Sequence, residues 1–168
     1  MSGYRFDRLK FLIVDDNVHM RKLVITILQA FGVNQVVEAP DAEKAWLMLR
    51  DVAPDVVILD WVLEGMSGID LVKMIRSHSQ SPNPFVPVIM LSGHTHADRV
   101  EEARDAGINE FLAKPVSVNA MMSRLVSVIE NPRPFVRTSS YFGPCRRRHG
   151  EVYEGPERRS DAAKQAAE

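Results

Sequence analysis

Five short strand-like segments, the first, third and fourth of them close to continuous apolar runs, each precede a longer amphipathic stretch in the first 130 residues, and this alternation restricts the possible folds more than any other feature. Phe11 to Val14 is a continuous apolar run, as a strand buried on both faces requires. Asn17 to Phe31 then carries Met20, Leu23, Val24, Ile27, Leu28 and Phe31 at helical spacing, and Gly32 supplies a stop. The same alternation predicts strands over Gln35 to Glu38, Asp55 to Asp60, Val86 to Leu91 and Asn109 to Ala113. It predicts helices over Asp41 to Arg50, Gly68 to Ser77, Ala97 to Ala106 and Val116 to Glu130. Five strands alternating with five helices imply an α/β domain on a doubly wound parallel sheet.

Composition supports one packed domain with an appendage. The 168 residues are 45% apolar and 26% charged. Cys145 is the single cysteine, which excludes an internal disulfide and a Cys-rich zinc site. No apolar run reaches the ~18 residues of a membrane span, and the first 30 residues hold five basic side chains and no cleavable apolar segment. The expectation is a cytoplasmic protein without a membrane partner. The net charge of −1 conceals a division. Residues 1–130 hold 13 basic and 17 acidic side chains, whereas residues 131–168 hold 8 and 5. Asn131-Pro132-Arg133-Pro134 ends the last helix. Two units are expected: a domain over 1–130, and an Arg-rich tail over 131–168 too poor in large apolar residues to build its own core.

In a doubly wound sheet, ligands sit beyond the carboxyl ends of the strands. Asp15 and Asp16 follow the first strand and Asp60 ends the third. Ser92 and Gly93 follow the fourth, and Lys114-Pro115 the fifth. Taken singly, Asp15 or Asp16 could cap the following helix and Lys114 could be a solvated loop residue. Brought together, three carboxylates need a cation, and hard oxygen ligands favour Mg²⁺. A carboxylate flanked by Mg²⁺ and a lysine can attack a phosphoryl group, because both cations neutralise its developing charge.

Over roughly residues 8–130 the sequence resembles the CheY-like receiver domains of bacterial response regulators. The resemblance rests on Val-Asp15-Asp16-Asn, Leu-Asp60-Trp-Val-Leu-Glu-Gly-Met-Ser-Gly68, Leu-Ser92-Gly and Lys114-Pro115. It implies a flavodoxin-like sheet in strand order 2-1-3-4-5, with Asp60 as phosphoacceptor. Asp15, Asp16, Asp60 and the Val62 carbonyl would hold Mg²⁺, while Ser92 and Lys114 would bind the phosphoryl group. Phe111 would be the switch aromatic, and a sensor histidine kinase or phosphotransfer protein the donor. The implied role is a phosphoacceptor with slow autodephosphorylation, not an enzyme, with output through the fourth helix, fifth strand and fifth helix. Glu64 stands where the family usually has Pro, and Phe111 lacks the hydroxyl of the commoner Tyr.

The tail contains a repeat. Tyr141-Phe142-Gly143-Pro144-Cys145-Arg146-Arg147 recurs as Tyr153-Glu154-Gly155-Pro156-Glu157-Arg158-Arg159, a Tyr-x-Gly-Pro-x-Arg-Arg pattern. Of the tail's eight cations, all but Lys164 are arginine, the residue whose planar fork meets phosphates and the guanine edge. Asp161 lies three residues after Arg158, and a carboxylate accepts from guanine N1 and N2. The pattern suits a guanine nucleotide with more than one phosphate. The rival readings are a solvated tail, a protein-docking peptide and a nucleic-acid-binding tail, the last disfavoured by a tail charge of only +3.

An Arg-rich extension on a stand-alone receiver is similar to the Cle proteins, CheY-like effectors of cyclic di-GMP in flagellated bacteria. That resemblance implies a tail that orders around cyclic di-GMP. The ligand set would be Arg133, Arg137, Tyr141, Arg146, Arg147, Arg148, Tyr153, Arg158, Arg159 and Asp161. The flagellar motor switch would be the partner, in motility or surface attachment. The alternative is a phosphorelay shuttle with a passive tail.

Overall fold

The computed structural model describes residues 3–93 and 96–147. The elements run β1 (Lys10–Val14), α1 (Val18–Ala30), β2 (Gln35–Ala39), α2 (Ala42–Val52), β3 (Val56–Asp60) and α3 (Gly68–Ser77). They continue β4 (Val88–Ser92), α4 (Ala97–Ala106), β5 (Glu110–Ala113), α5 (Val118–Glu130), β6 (Phe135–Arg137) and β7 (Phe142–Pro144). The first five strands form one parallel sheet in the order β2-β1-β3-β4-β5, as expected. That order reverses beside β1, which places the ligand crevice above the carboxyl ends of β1 and β3.

The strands separate two cores because alternate side chains point to opposite faces. Leu12, Val14, Val57 and Leu59 pack against α2, α3 and α4. Phe11, Ile13, Val56 and Ile58 pack against α1 and α5. Each large aliphatic side chain buried this way contributes about 1.5–3 kcal/mol. The helix starts are fixed by side-chain caps: Asn17, Asp41, Ser67 and Ser117 each accept a first-turn N–H. Helix α4 is held least firmly, with only Ala103 and Ala106 buried.

The start of the segment after α5 departs from the expectation of a tail that orders around a ligand, because it forms two strands held by contacts within the chain. β6 and β7 pair antiparallel, Phe135 opposite Pro144 and Arg137 opposite Phe142. The Thr138 N–H donates to the Tyr141 carbonyl and closes the turn. The rings of Phe135 and Phe142 meet Phe85 with centroids 5.2 and 5.3 Å away. The Arg76 guanidinium lies 5.0 Å from the Phe135 centroid. Gly143 is crowded onto Gly107: a Cβ there would lie 2.6 Å from the Tyr141 hydroxyl and 2.9 Å from the Gly107 Cα. These residues build no core of their own; they cover one end of the sheet domain.

Arg76 anchors that end. It is 3% exposed and has no carboxylate partner among the described residues. Its guanidinium donates to the carbonyls of Gly107 (2.9 Å), Pro84 (2.8 Å) and Val86 (2.8 Å), and to Asn109 Oδ1 (3.0 Å). Burial lowers its pKa to about 10, and Tyr141 nearby opposes that shift. Asn109 Oδ1 also accepts from the Val88 N–H, so one side chain ties α3 to the start of β4.

Candidate functional site

The carboxyl ends of the strands bring the expected residues together. Asp15 directly follows β1, and its N–H donates to the Ala39 carbonyl at the end of β2 (3.2 Å). Its Oδ1 accepts from the Asn17 N–H at 2.8 Å. Asn17, not either aspartate, caps α1, which removes the capping role considered for Asp15 and Asp16. Arg21 reaches back from α1 to the Asp15 carbonyl (2.8 Å) and to Glu38 (2.9 Å), fixing the loop from both sides. Asp60 is the last residue of β3 and is 5% exposed.

Carboxylate oxygens of Asp15, Asp16 and Asp60 all lie within 4.8 Å of one another, Asp16 being the exposed member. Lys114 Nζ is 2.9 Å from Asp60 Oδ1 and 3.5 Å from Asp15 Oδ2. The lysine is positioned by its own backbone, whose N–H donates to the Ser92 carbonyl at the end of β4 (2.9 Å). The Lys114–Pro115 peptide is cis. Ser92 is buried, with its Cα beside Ala113 in the sheet register.

Asp15 Oδ2 is buried and has no hydrogen-bond partner. Such an atom is costly unless a cation meets it. Burial raises the Asp15 pKa above its ordinary value. The Asn17 N–H lowers it, the charge on Asp60 raises it, and Lys114 lowers it. A carboxylate held at this cost, facing two others, fits a divalent cation with oxygen ligands.

The loop after β3 turns sharply over the site. The Gly68 N–H donates to the Trp61 carbonyl (2.8 Å), and a Cβ on Gly68 would lie 2.2 Å from the Asp60 carbonyl oxygen. Only glycine permits that approach. Val62 and Glu64 lie on this loop, both exposed. Trp61 is buried under the Arg99 guanidinium, 5.1 Å from its ring, and meets Phe111 edge-on at 6.5 Å. Phe111, half-buried on β5, therefore touches the residue next to Asp60 in sequence.

Of the tail residues singled out above, Arg133, Arg137, Tyr141, Arg146 and Arg147 are described. Arg148, Tyr153, Arg158, Arg159 and Asp161 lie outside the described residues. Arg133 donates to the carbonyls of Cys145 (3.0 Å) and Asn109, bridging the hairpin to the start of β5. Arg137 stacks on Phe142 at 4.2 Å and Arg146 on Tyr141 at 4.4 Å. Arg146 also pairs with Asp105 of α4 at 2.9 Å. The Tyr141 hydroxyl donates to the Pro144 carbonyl (2.7 Å), and burial raises its pKa. Beside them runs a groove of about 730 Å³ lined by Arg137, Thr138, Ser140, Tyr141, Arg146 and Arg147. Nothing in the sequence signals the roles of Arg76, Asp105 and Asn109, because Arg76 meets Gly107 and Asn109, Asn109 meets Val88, and Asp105 meets Arg146, all distant in the chain.

The sheet order, the acidic cluster and its lysine define a receiver. The pattern of the response regulator receiver domain family matches residues 11–126, and the chain belongs to that family. It is 35% identical over 122 residues to the chemotaxis protein CheY-3 of Vibrio cholerae, covering 73% of this chain and 92% of that protein. It is 31% identical to the chemotaxis protein CheY of Pseudomonas aeruginosa, covering 73% of this chain and 97% of that one. Among solved structures, the CheY4 protein of Vibrio cholerae superposes with a TM-score of 0.66 at 30% identity, covering 72% of this chain and 98% of that chain. The hairpin lies outside the matched residues. Receivers of this family are phosphoacceptor signalling proteins that bind Mg²⁺ at an acidic cluster and work with histidine kinases or phosphotransfer proteins. Among the described residues no helix is long and apolar enough to cross a membrane.

Proposed function

We propose that the protein is a response regulator phosphorylated on Asp60 whose Arg-rich tail binds cyclic di-GMP. The observation that carries the first part is the meeting of Asp15, Asp16 and Asp60 within 4.8 Å, with Lys114 against Asp60 at 2.9 Å. In this reading Asp15, Asp16, Asp60 and the Val62 carbonyl hold Mg²⁺, which when bound supplies positive charge beside the phosphoryl oxygens. An Asp60 carboxylate oxygen forms the new bond to phosphorus as the bond to the donor's leaving atom breaks, and the electron pair departs with the donor. Lys114 pairs with a phosphoryl oxygen in place of the carboxylate oxygen it now holds, and the Ser92 hydroxyl donates to another. Phe111, in contact with Trp61, then reports the change to the α4–β5–α5 face.

The second part is supported by the groove of about 730 Å³, within the range of small-molecule sites, and by its arginines, aromatic ring and two hydroxyls. The resulting protein is an effector controlling motility or surface attachment by protein–protein contact, with the flagellar motor switch as partner. The chemotaxis relatives support that direction. The residues meeting cyclic di-GMP are Arg133, Arg137, Tyr141, Arg146, Arg147 and Arg148, with Tyr153, Arg158, Arg159 and Asp161 from the second repeat. Calorimetry of the full chain tests this part. Cyclic di-GMP should bind, GMP should bind far more weakly, and changing Arg146, Arg147, Arg158 and Arg159 to Ala should abolish the heat. A phosphorelay shuttle with a passive tail predicts no heat at all.

A further inference from the structure

Arg104, Arg124, Arg133 and Arg146 line one pocket of about 220 Å³ together with Glu110 and Phe111. The four guanidinium groups come from three places: α4, α5 and the segment around the hairpin. One carboxylate, Glu110, shares the lining, and it lies 3.7 Å from Arg124 and accepts from the Ser127 hydroxyl. Arg124 and Arg133 are held in place by carbonyls, Arg124 Nε donating to the Phe111 carbonyl at 3.0 Å. Arg104 is exposed, and its side chain makes no hydrogen bond or ion pair among the described residues. The pocket thus presents excess positive charge on forks that are largely pre-positioned, the arrangement that meets a phosphate group.

Its size and continuity identify the occupant. At about 220 Å³ it is smaller than a typical small-molecule site and takes one group rather than a nucleotide. Arg146 lines both this pocket and the larger groove. A ligand seated in the groove and reaching past Arg146 arrives among Arg104, Arg124 and Arg133. A cyclic dinucleotide carries two phosphodiesters on opposite sides of its ring, so one can sit in each place.

We propose that this pocket is a phosphate subsite on the receiver body, so that Arg104 and Arg124 bind the cyclic dinucleotide along with the tail. The inference rests on the nucleotide reading of the groove, and it adds that the site is not confined to residues 131–168. A bound ligand would clamp α4 and α5 to the hairpin beside Phe111, which gives tail occupancy a direct route to the receiver's moving face.

The test is a titration of the full chain with cyclic di-GMP at several salt concentrations. Arg104→Ala removes an exposed side chain with no partner among the described residues and leaves the fold intact by circular dichroism. It should weaken binding by about tenfold, the loss of one charged hydrogen bond. It should also flatten the salt dependence, which a purely structural role would not do. Arg104→Glu should weaken binding further, and Arg50→Ala, a distant exposed arginine on α2, should change nothing. Wild-type affinity and salt dependence in both Arg104 variants would overturn the subsite while leaving the tail reading standing. No binding by the wild-type chain would overturn both.

Discussion

The Lys114 ammonium sits 2.9 Å from Asp60 Oδ1 and 3.5 Å from Asp15 Oδ2, so one cation leans toward the Asp60 carboxylate while the neighbouring oxygen is left without a hydrogen bond among the described residues. The asymmetry divides the charges in two. Lysine balances part of the Asp60 charge, and carboxylate oxygens of Asp15, Asp16 and Asp60 stay within 4.8 Å of one another. Removing the lysine should leave the fold intact and slow the chemistry. Lys114→Ala is expected to reduce the rate of Asp60 phosphorylation by a small-molecule donor by about 10²–10³-fold, measured by phosphoprotein gel or intact mass.

Asp15 should cost stability when no cation is present. Its folded pKa lies above the ordinary value of 3.8, chiefly through burial, so the folded state binds the proton more tightly than the unfolded chain. The stability this contributes is fully present below pH 3.8 and is lost as pH rises through the raised folded value. In chelator at neutral pH, Asp15→Asn should raise the melting temperature by roughly 2–4 °C. The same variant should lose the stabilisation that added Mg²⁺ gives the wild type. Thermal melts with and without Mg²⁺ read both effects.

Arg76 should be the side chain on which the hairpin end depends. Arg76→Met keeps much of the apolar stem but strands the acceptors of Gly107, Pro84, Val86 and Asn109. The loss should exceed about 3 kcal/mol in urea unfolding, well above an ordinary surface change. Arg76→Lys should recover only part, because an ammonium cannot span four acceptors in a plane.

Gly143→Ala separates the hairpin from the receiver. The added methyl meets the Tyr141 hydroxyl and the Gly107 Cα, so β7 must lift away. Hydrogen exchange should rise over residues 135–144 while β1 to β5 keep their protection. Phosphorylation of Asp60 should be unaffected, since the hairpin packs at the other end of the strands.

The sheet was legible because β1, β3 and β4 are nearly continuous apolar runs, and the helices because their apolar residues recur on one face. α3 and α4 begin and end where expected. Asp15, Asp16, Asp60 and Lys114 were legible because the parallel topology sends every strand end to one edge. The hairpin was not: a strand of three residues such as Phe135–Arg137 is too short to show a period. Its stability comes from Phe85, Arg76 and Gly107, which lie 35 to 59 positions from the hairpin residues they touch. Arg76 drew no attention in the sequence, because nothing in its neighbours announces the carbonyls of Pro84, Val86 and Gly107 that surround it.

The most direct test of the central claim is the mass of the chain after treatment with Mg²⁺ and a small-molecule phosphodonor. The wild type should gain one phosphoryl group, labile to base as an acyl phosphate, and Asp60→Ala should gain none. Equal labelling of the two proteins would contradict the account.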